Sequence, residues 1–388
     1  MLNIKKKLLI VLLLSSAIAN AQSVYKIQPV PIQSRWAKEV SPTNVLKEYP
    51  RPQMVRIGWT NLNGLWDYAI TPKDAAQPAA FEGQILVPYP FESALSGVKR
   101  TLLPTQNLWY KRVFVNPLRS RNETGMTDRV LLHFGAVDWQ ATVFVNGKEV
   151  GEHKGGYASF SFDITDALRS GSNELTVKVF DPTDQGTGPH GKQVLNPQNI
   201  YYTPSSGIWQ TVWLEIVPAV SIADLIMTPD IDKGVLNLTV NGTKGKFTAT
   251  VTSESGILKL VQGDIGVSIA IPIKNAKLWS PANPYLYDLT VKLGKDEVKS
   301  YFGMRKISIG KDAKGIDRIF LNNKAYYNLG TLDQGFWPDG LYTAPTDEAL
   351  AFDIKAIKAM GFNTIRKHIK VEPARWYYWA DKLGMLVW

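Results

Sequence analysis

The sequence contains no cysteine among its 388 residues. Disulfide bonds, thiolate metal sites, a cysteine nucleophile and lipid attachment at an N-terminal cysteine are therefore excluded. The composition is otherwise that of a globular protein, with 45% hydrophobic, 11% aromatic and 20% charged residues. A chain of this length is expected to form two or three domains whose cores are large enough to fold without cross-links.

Motifs for metals and cofactors are also missing. The four histidines are His133, His153, His190 and His368, and no two of them have the H-x-x-x-H spacing of a zinc-binding helix. Neither a glycine-rich phosphate loop between a strand and a helix nor a G-x-S-x-G elbow occurs. The sequence therefore predicts no metal and no cofactor.

The charge is basic but dispersed. The formal net charge is +10 at pH 7, and Lys5, Lys6 and Lys7 account for three of these charges, which leaves 10 − 3 = +7. No basic run or stripe follows along the chain, so the sequence does not predict a nucleic-acid partner.

Residues 1–21 have the pattern of a secretory signal peptide. The three lysines precede an apolar run from Leu8 to Leu14, and Ala19-Asn20-Ala21 provides an A-x-A cleavage site. The run is too short to span a bilayer, and no other stretch approaches about 18 apolar residues. The sequence therefore predicts export to the periplasm or the extracellular space, with no membrane contact after cleavage. A buried N-terminal helix is the alternative.

Residues 22–218 are predicted to form a jelly-roll β-sandwich preceded by a proline-rich N-terminal arm. Apolar strands alternate with turn signals, as in Val130–Phe134, Ala141–Val145 and Glu174–Phe180. Asn146-Gly147, between two such strands, is a strong signal for a tight hairpin.

Tryptophan is frequent in this first segment. The residues concerned are Trp109, Trp139, Trp209 and Trp213. Large aromatic side chains dominate sandwich interiors, so we expect a core role, with a ligand platform as the alternative. The spacing predicts that Trp209 and Trp213 share one face of one strand.

Residues 219–303 carry a second series of short strands, including Val235–Val240 and Lys246–Val251. Their length and spacing favour an immunoglobulin-like β-sandwich. The fold class is therefore mainly β up to this point.

Residues 304–388 are predicted to form the first β/α units of a TIM barrel, with strands at Ala325–Leu329, Asn363–Ile369 and Met385–Trp388. Helical spacing links the apolar residues between the first two strands, and Thr346 can cap that helix. Gly361 is predicted to end the first helix, Pro373 to begin the second helix and Gly384 to end it.

Four residues are candidates for substrate binding. Thr364, Arg366 and His368 alternate along one strand, so they share one face, and Ile365, Lys367 and Ile369 share the other. Arg366 and His368 would then line the C-terminal end of a barrel strand, where active sites lie. Asp333 and Trp337 follow the first strand, and a carboxylate and an aromatic ring there suit a sugar. The alternatives are a structural ion pair for Arg366, a core hydrogen bond for His368, and packing under the loop for Trp337.

Several segments resemble glycoside hydrolase family 2, the group of β-galactosidases, β-glucuronidases and β-mannosidases. The matching segments are Val137-Asp138-Trp139, Val143–Gly147, Gly155-Gly156-Tyr157, Phe160–Thr165, Ser206–Glu215, Leu278–Pro281, Tyr285–Tyr287, Tyr301–Arg305 and Gly361–Arg366. The resemblance covers nearly all of the chain after residue 21. It implies a sugar-binding jelly roll, an immunoglobulin-like domain and a catalytic barrel acting on a carbohydrate substrate.

The resemblance also implies a retaining exo-β-glycosidase with two catalytic glutamates. One, in an Asn-Glu pair after the fourth strand, acts as acid/base, and one after the seventh strand acts as nucleophile. Both are expected after Trp388, so no catalytic residue is assigned and the 388-residue chain is expected to be inactive alone. Better-known members carry Arg-x-Ser-His-Tyr-Pro at the second strand, whereas His368 here stands one position early. A non-catalytic carbohydrate-binding or adhesion protein is the alternative, and the sequence does not define the sugar, the linkage or the oligomeric state.

Overall fold

The computed structural model describes residues 25–118 and 128–388. Within these residues the chain is mainly β, as the sequence predicts, with two antiparallel sandwiches, a small antiparallel sheet and a parallel sheet covered by helices. The predicted signal peptide, residues 1–21, lies outside the described residues. None of the described helices has the length and apolar character needed to cross a membrane.

The first sandwich contains strands β1 to β12. Their bounds are β1 Trp59–Asn61, β2 Gly64–Pro72, β3 Gly83–Val87, β4 Gln106–Val115, β5 Arg129–Phe134, β6 Val137–Asp138, β7 Gln140–Val145, β8 Lys148–Lys154, β9 Phe160–Asp163, β10 Ser172–Phe180, β11 Gly207–Ile208 and β12 Val212–Val217. A six-stranded sheet in the order β3-β2-β4-β10-β7-β8 and a four-stranded sheet in the order β1-β12-β5-β9 enclose a common core, and β11 pairs with β6. Short 3₁₀ turns occur at Ala37–Glu39 and Thr165–Ala167.

The hairpin between β7 and β8 turns at the predicted residues. Asn146 and Gly147 have φ angles of +53° and +80°. A two-residue turn with both central residues at positive φ matches the twist of the flanking strands, and Asn-Gly adopts it with little strain.

The prediction that Trp209 and Trp213 share one strand was wrong. Trp213 lies on β12, whereas Trp209 follows β11, and the chain changes sheets between them because β11 pairs with β6 and β12 with β5. Both side chains are nevertheless buried, with exposed fractions of 0% and 3%. Trp109 is also buried, and Trp139 is half-buried.

The second sandwich contains strands β13 to β19. Their bounds are β13 Ile222–Asp230, β14 Val235–Gly242, β15 Lys246–Ser253, β16 Gly256–Asp264, β17 Ile269–Pro272, β18 Tyr287–Leu293 and β19 Asp296–Phe302. The sheets β13-β14-β17 and β16-β15-β18-β19 are antiparallel and pack around Leu238, Phe247 and Leu289. Three strands facing four is an arrangement typical of immunoglobulin-like sandwiches.

A small antiparallel sheet follows, formed by β20 Ile307–Lys311, β21 Asp317–Leu321 and β22 Lys324–Ala325. The prediction of a first barrel strand at Ala325–Leu329 was therefore wrong. Asn322 and Asn323 both have positive φ, so they turn the chain back as a hairpin and Ala325 ends an antiparallel pair. The first parallel strand begins later, at Gly330.

Two β/α units end the described chain. The parallel strands are β23 Gly330–Asp333, β24 Thr364–Lys367 and β25 Leu386–Val387, and the helices are α1 Asp347–Ala359 and α2 Ala374–Leu383. Thr346 Oγ1 accepts a hydrogen bond from Ala349 N at 3.1 Å, which caps α1 as predicted. Ile354, Ile365 and Trp376 form the core between the sheet and the helices.

The N-terminal arm, residues 25–58, lies across the other units. Ala37, Val40 and Val45 are buried against residues of the first sandwich. Trp36 contacts the Trp337 ring edge-on with centroids 5.8 Å apart, so the arm also touches the first β/α unit.

Candidate functional site

Arg366 and His368 lie side by side at the C-terminal end of β24. Ile365 is fully buried against the helices, so the alternation of the strand directs Arg366 to the opposite face, where it is exposed. Arg366 Nη1 lies 3.3 Å from His368 Nδ1. The structure thus brings together two predicted site residues on the face of the sheet that the helices leave uncovered.

Two basic side chains, Arg366 and Lys192, lie near the His368 imidazole. Slight desolvation, followed by the positive charges of Arg366 and Lys192, lowers the pKa of His368 below its ordinary value. At neutral pH this ring is therefore favoured in its neutral form, which offers one donor and one acceptor. Beside it, the Arg366 guanidinium offers only donors, and the pair suits hydroxyl and carboxylate oxygens.

Asp333 points to the other face of the sheet. Its Oδ2 accepts from Lys367 Nζ at 2.7 Å, and its Oδ1 accepts from Gly335 N at 2.7 Å. The structure therefore separates the Asp333 carboxylate from the Arg366 and His368 side chains, while the Asp333 carbonyl accepts from His368 N at 2.9 Å.

Trp337 is half-buried beneath the loop that follows β23. Its main chain pairs with Leu341, with Trp337 N donating to Leu341 O at 2.8 Å, and its ring packs against Trp36 of the arm. It joins the core cluster between the sheet and the helices. The Trp337 ring is therefore in contact with the N-terminal arm and the helical core. This arrangement corresponds to packing under the loop.

A buried ion-pair network that the sequence analysis missed supports both loops. Lys367 Nζ lies 2.5 Å from Glu372 Oε1, and Lys370 Nζ lies 3.0 Å from Glu372 Oε2. Lys370 Nζ also donates to the carbonyls of Gly335 and Tyr342, each at 2.7 Å. The network joins the β23–α1 loop to the β24–α2 loop.

The network has a clear electrostatic consequence. Burial alone would lower the pKa of Lys367, but Glu372 and Asp333 outweigh it and raise that pKa. Burial lowers the pKa of Lys370. Lys367 lies two residues after the buried Ile365, on the same face of the strand. This position was the sequence signal for the network, because a buried cation requires a carboxylate partner.

A loop of the first sandwich, residues 182–206, reaches the same end of the sheet. A Cβ atom on Gly191 would lie 2.7 Å from Ile369 O, and this residue also has φ +61°, so glycine permits the close approach. Tyr202 stacks on Phe336 with ring centroids 4.3 Å apart. The loop therefore forms a wall beside Arg366 and His368, from a domain that the sequence analysis did not connect with the site.

A cavity of about 310 Å³ lies between the first sandwich, the arm and the first turns of both helices. Arg51 and Arg375 line it, but they form ion pairs with Glu215 and Asp347. Charged groups that are already paired offer little to a polar ligand, so we place the candidate site at the strand ends instead. No group of three or more histidine and acidic side chains in residues 25–118 and 128–388 is arranged to hold a metal ion.

Comparison with known families gives two matches in succession. Residues 59–218 match the model described as "Glycosyl hydrolases family 2, sugar binding domain", and residues 220–305 match "Glycosyl hydrolases family 2". The first match spans the first sandwich, and the second spans the second sandwich.

Individual relatives agree with the family models. A β-galactosidase from Thermoanaerobacter pseudethanolicus is 27% identical over 303 residues, which cover 72% of this chain and 38% of that protein. A β-glucuronidase from Rattus norvegicus is 29% identical over 250 residues, which cover 58% of this chain and 38% of that protein. The chain spans about a third of the length of the curated relatives it matches.

A solved structure supports the same fold. The unliganded β-glucuronidase from Ruminococcus gnavus superposes with a TM-score of 0.71 at 21% identity, covering 88% of this chain and 61% of that one. With both sandwiches matched in order by models of one family, the chain belongs to glycoside hydrolase family 2.

Proposed function

We propose that this chain forms the sandwich domains and the first β/α units of an exported retaining β-glycosidase that releases a terminal sugar. The observation that carries the proposal is the position of Arg366 and His368. They stand at the C-terminal end of a parallel strand, on the face away from the helices, beside a wall from the sugar-binding domain. In a β/α barrel this is the location of the active site.

In the proposed enzyme, Arg366 and His368 bind oxygens of the sugar. An exposed guanidinium donates charge-assisted hydrogen bonds, and the adjacent imidazole can donate or accept one. Asp333 acts indirectly, because it holds Lys367 and thereby the two loops around the site. Trp337 supports the loop from beneath.

Retaining hydrolysis requires two carboxyl groups about 5–5.5 Å apart, one protonated and one ionised. Near the strand ends, Asp333, Glu372 and Asp347 each lie in an ion pair with a lysine or an arginine. A carboxylate held in this way is unsuited to protonating a leaving group. We therefore assign neither catalytic role to a described residue, and the proposal requires both carboxylates from elsewhere.

The test compares the purified 388-residue chain with the product of a longer reading frame that contains it. Both are assayed on nitrophenyl β-glucuronide, β-galactoside and β-mannoside. We expect turnover by the longer protein on at least one substrate, with retained configuration by NMR, and none by the 388-residue chain. Turnover by the pure 388-residue chain would contradict the assignment of the carboxylates.

The alternative function is non-catalytic carbohydrate binding or adhesion. Sugar binding in calorimetry without hydrolysis by the longer protein would favour it. Export is tested separately: secretion and N-terminal sequencing are expected to yield a mature chain that starts at Gln22.

A further inference from the structure

The cavity of about 310 Å³ between the first sandwich, the N-terminal arm and the first turns of α1 and α2 has no role in the proposed function. Small-molecule sites in proteins commonly measure about 300–1,000 Å³ and often lie where domains meet. An apolar cavity of about 150 Å³ is enough to bind benzene. The cavity between these three units therefore has room for a molecule of two fused rings.

The wall of this cavity is mainly apolar and aromatic. Leu46 comes from the arm, and Ala344 and Leu350 come from the first β/α unit. The wall also contains five aromatic side chains, those of Tyr157, Trp209, Trp213, Tyr342 and Tyr377. Aromatic rings attract one another through offset-stacked and edge-to-face contacts. A wall of this composition favours a planar aromatic ligand.

The arginines of the wall are paired within the protein. Arg51 Nη2 lies 3.0 Å from Glu215 Oε1, and Arg375 Nε lies 2.5 Å from Asp347 Oδ1. Glu48, which is exposed at the edge of the cavity, adds a negative charge. An anion would therefore meet no cation that lacks a carboxylate partner, and the wall favours an uncharged ligand.

One buried donor in the wall lacks an acceptor. Arg51 directs Nη2 to both carboxylate oxygens of Glu215, whereas its Nε is buried and has no hydrogen-bond partner among the described residues. A buried donor without an acceptor costs free energy, and an oxygen atom of a ligand would remove that cost. Apolar walls with a few polar groups that fix the orientation of the ligand are typical of small-molecule sites.

Two tyrosines of the wall connect the cavity with the segment that carries His368. Tyr157 Oη and Tyr342 Oη lie 3.0 Å apart, and Tyr157 Oη donates to Ile369 O at 3.4 Å. Neither Arg366 nor His368 lines the cavity. A molecule in the cavity would therefore reach these two side chains only through the protein, and its binding does not depend on the proposed glycosidase activity.

We propose that this cavity binds one small, uncharged aromatic molecule, with an oxygen of the ligand accepting a hydrogen bond from Arg51 Nε. A sugar suits the cavity less, because each of its hydroxyl groups would need a partner in a mainly apolar wall. The ligand would contact the first sandwich, the arm and both β/α units together. Since it binds only where these units are packed, it is expected to stabilise the folded chain.

The test uses the full chain with 2-naphthol as the probe, at neutral pH, where its hydroxyl group keeps its proton. Calorimetry is expected to show saturable binding of one 2-naphthol per chain, and the probe is expected to raise the melting temperature. 2-Naphthoate has the same rings but carries a charge. It is expected to bind at least about tenfold more weakly, because its charge would be buried without a free partner.

Ser159→Trp tests the location of the ligand. Ser159 lines the cavity and is exposed, so an indole at this position would block the entrance without replacing a buried side chain. The variant is expected to bind 2-naphthol more than about tenfold more weakly, because the space for the ligand is reduced. Ser170→Trp changes an exposed serine of the same sandwich outside the wall, and as the matched control it is expected to bind like the parent.

A second variant approaches the cavity from the β/α side. Ala344 is 6% exposed and lines the cavity, so Ala344→Leu is expected to occupy part of the space and to weaken binding of 2-naphthol. If this variant does not fold, Ser159→Trp decides alone. The proposal is overturned if 2-naphthol gives neither saturable heat nor a higher melting temperature, as for a cavity that holds only water, or if Ser159→Trp binds it as tightly as the parent. Equal binding of 2-naphthoate would overturn the assignment of an uncharged ligand.

Discussion

Arg56 and Glu215 form an ion pair with 2.8 Å between Nη1 and Oε2, and their side chains are 5% and 0% exposed. The same guanidinium donates to both carboxylate oxygens of Asp296, each at 2.9 Å. Glu215 belongs to the first sandwich and Asp296 to the second. One arginine of the N-terminal arm therefore joins the two sandwiches through buried charges.

Replacing this arginine is expected to destabilise the chain strongly. Arg56→Met leaves Asp296 without its cationic partner, and breaking a buried pair in this way costs on the order of 3–5 kcal/mol. Arg318→Met is the control, because its ion pair with Asp312 lies at the surface and contributes less than about 1 kcal/mol. Urea unfolding followed by tryptophan fluorescence measures the free energy of unfolding of both variants. Equal decreases in the two variants would contradict a stabilising role for the buried ion pairs of Arg56.

His133 is expected to make stability depend on pH in the acidic range. It stacks on Trp213 with ring centroids 4.8 Å apart, and burial lowers its pKa from 6.5 to about 4. Between these values the unfolded chain binds a proton that the folded chain does not. The free energy of unfolding should therefore decrease as the pH falls from 6.5 to about 4.

His133→Phe provides the check, because phenylalanine can stack on Trp213 but cannot bind a proton. We expect a smaller decrease of stability over the same pH range in chemical denaturation. Identical pH profiles for the variant and the parent would show that His133 does not titrate as proposed.

Glu92 should act in the opposite direction. Burial raises its pKa from 4.5 to about 7, so between these values the folded chain holds a proton that the unfolded chain releases. Stability should therefore decrease as the pH rises through this range. Glu92→Gln is expected to remove that slope, measured in EDTA, whereas Glu149→Gln at an exposed position is expected to keep it.

The readout for Glu92 is the slope and not the absolute stability. Glutamine replaces one acceptor oxygen with a donor, which faces either Leu102 N or Ser206 N. A loss of stability that does not vary with pH is therefore expected as well. A slope unchanged by Glu92→Gln would mean that Glu92 stays ionised in the fold.

Arg366→Ala is expected to lower kcat/KM of the complete enzyme without unfolding it. A charge-assisted hydrogen bond in a desolvated site contributes about 2–3 kcal/mol, which corresponds to a loss of roughly 30- to 150-fold. Because Arg366 is exposed, the melting temperature should remain close to that of the parent. Arg318→Ala, which removes a surface ion pair with Asp312 on the small antiparallel sheet, serves as the control. Full activity of Arg366→Ala would leave Arg366 with a structural role only.

Features set by neighbouring residues were predictable from the sequence. Thr346 caps α1, Gly384 ends α2 with φ +80°, and Asn146-Gly147 turns a hairpin, because each depends on conformational preferences within a few residues. The alternation that places Arg366 beside His368 is local in the same sense.

Features set by distant partners were not predictable. Asp333 looked available to a sugar until the structure placed it against Lys367, which the chain brings near only by pairing β23 with β24. Trp209 and Trp213 have the spacing of one strand face, but the chain changes sheets between them. The same holds for the 182–206 loop, whose approach to Ile369 depends on how two domains pack.

The N-terminal arm has a consequence for the order of folding. Ser34 N bonds to Asp339 across 305 positions of sequence, and Tyr49 O accepts from Arg375 across 326. Contacts that close such long loops form late, since the loss of chain entropy precedes the gain from the contact. The arm is synthesised before Asp339 and Arg375, the residues with which it makes these bonds. Trp36, which is buried in the finished fold, must therefore remain exposed until those partners exist, a period in which the nascent chain is most vulnerable to aggregation.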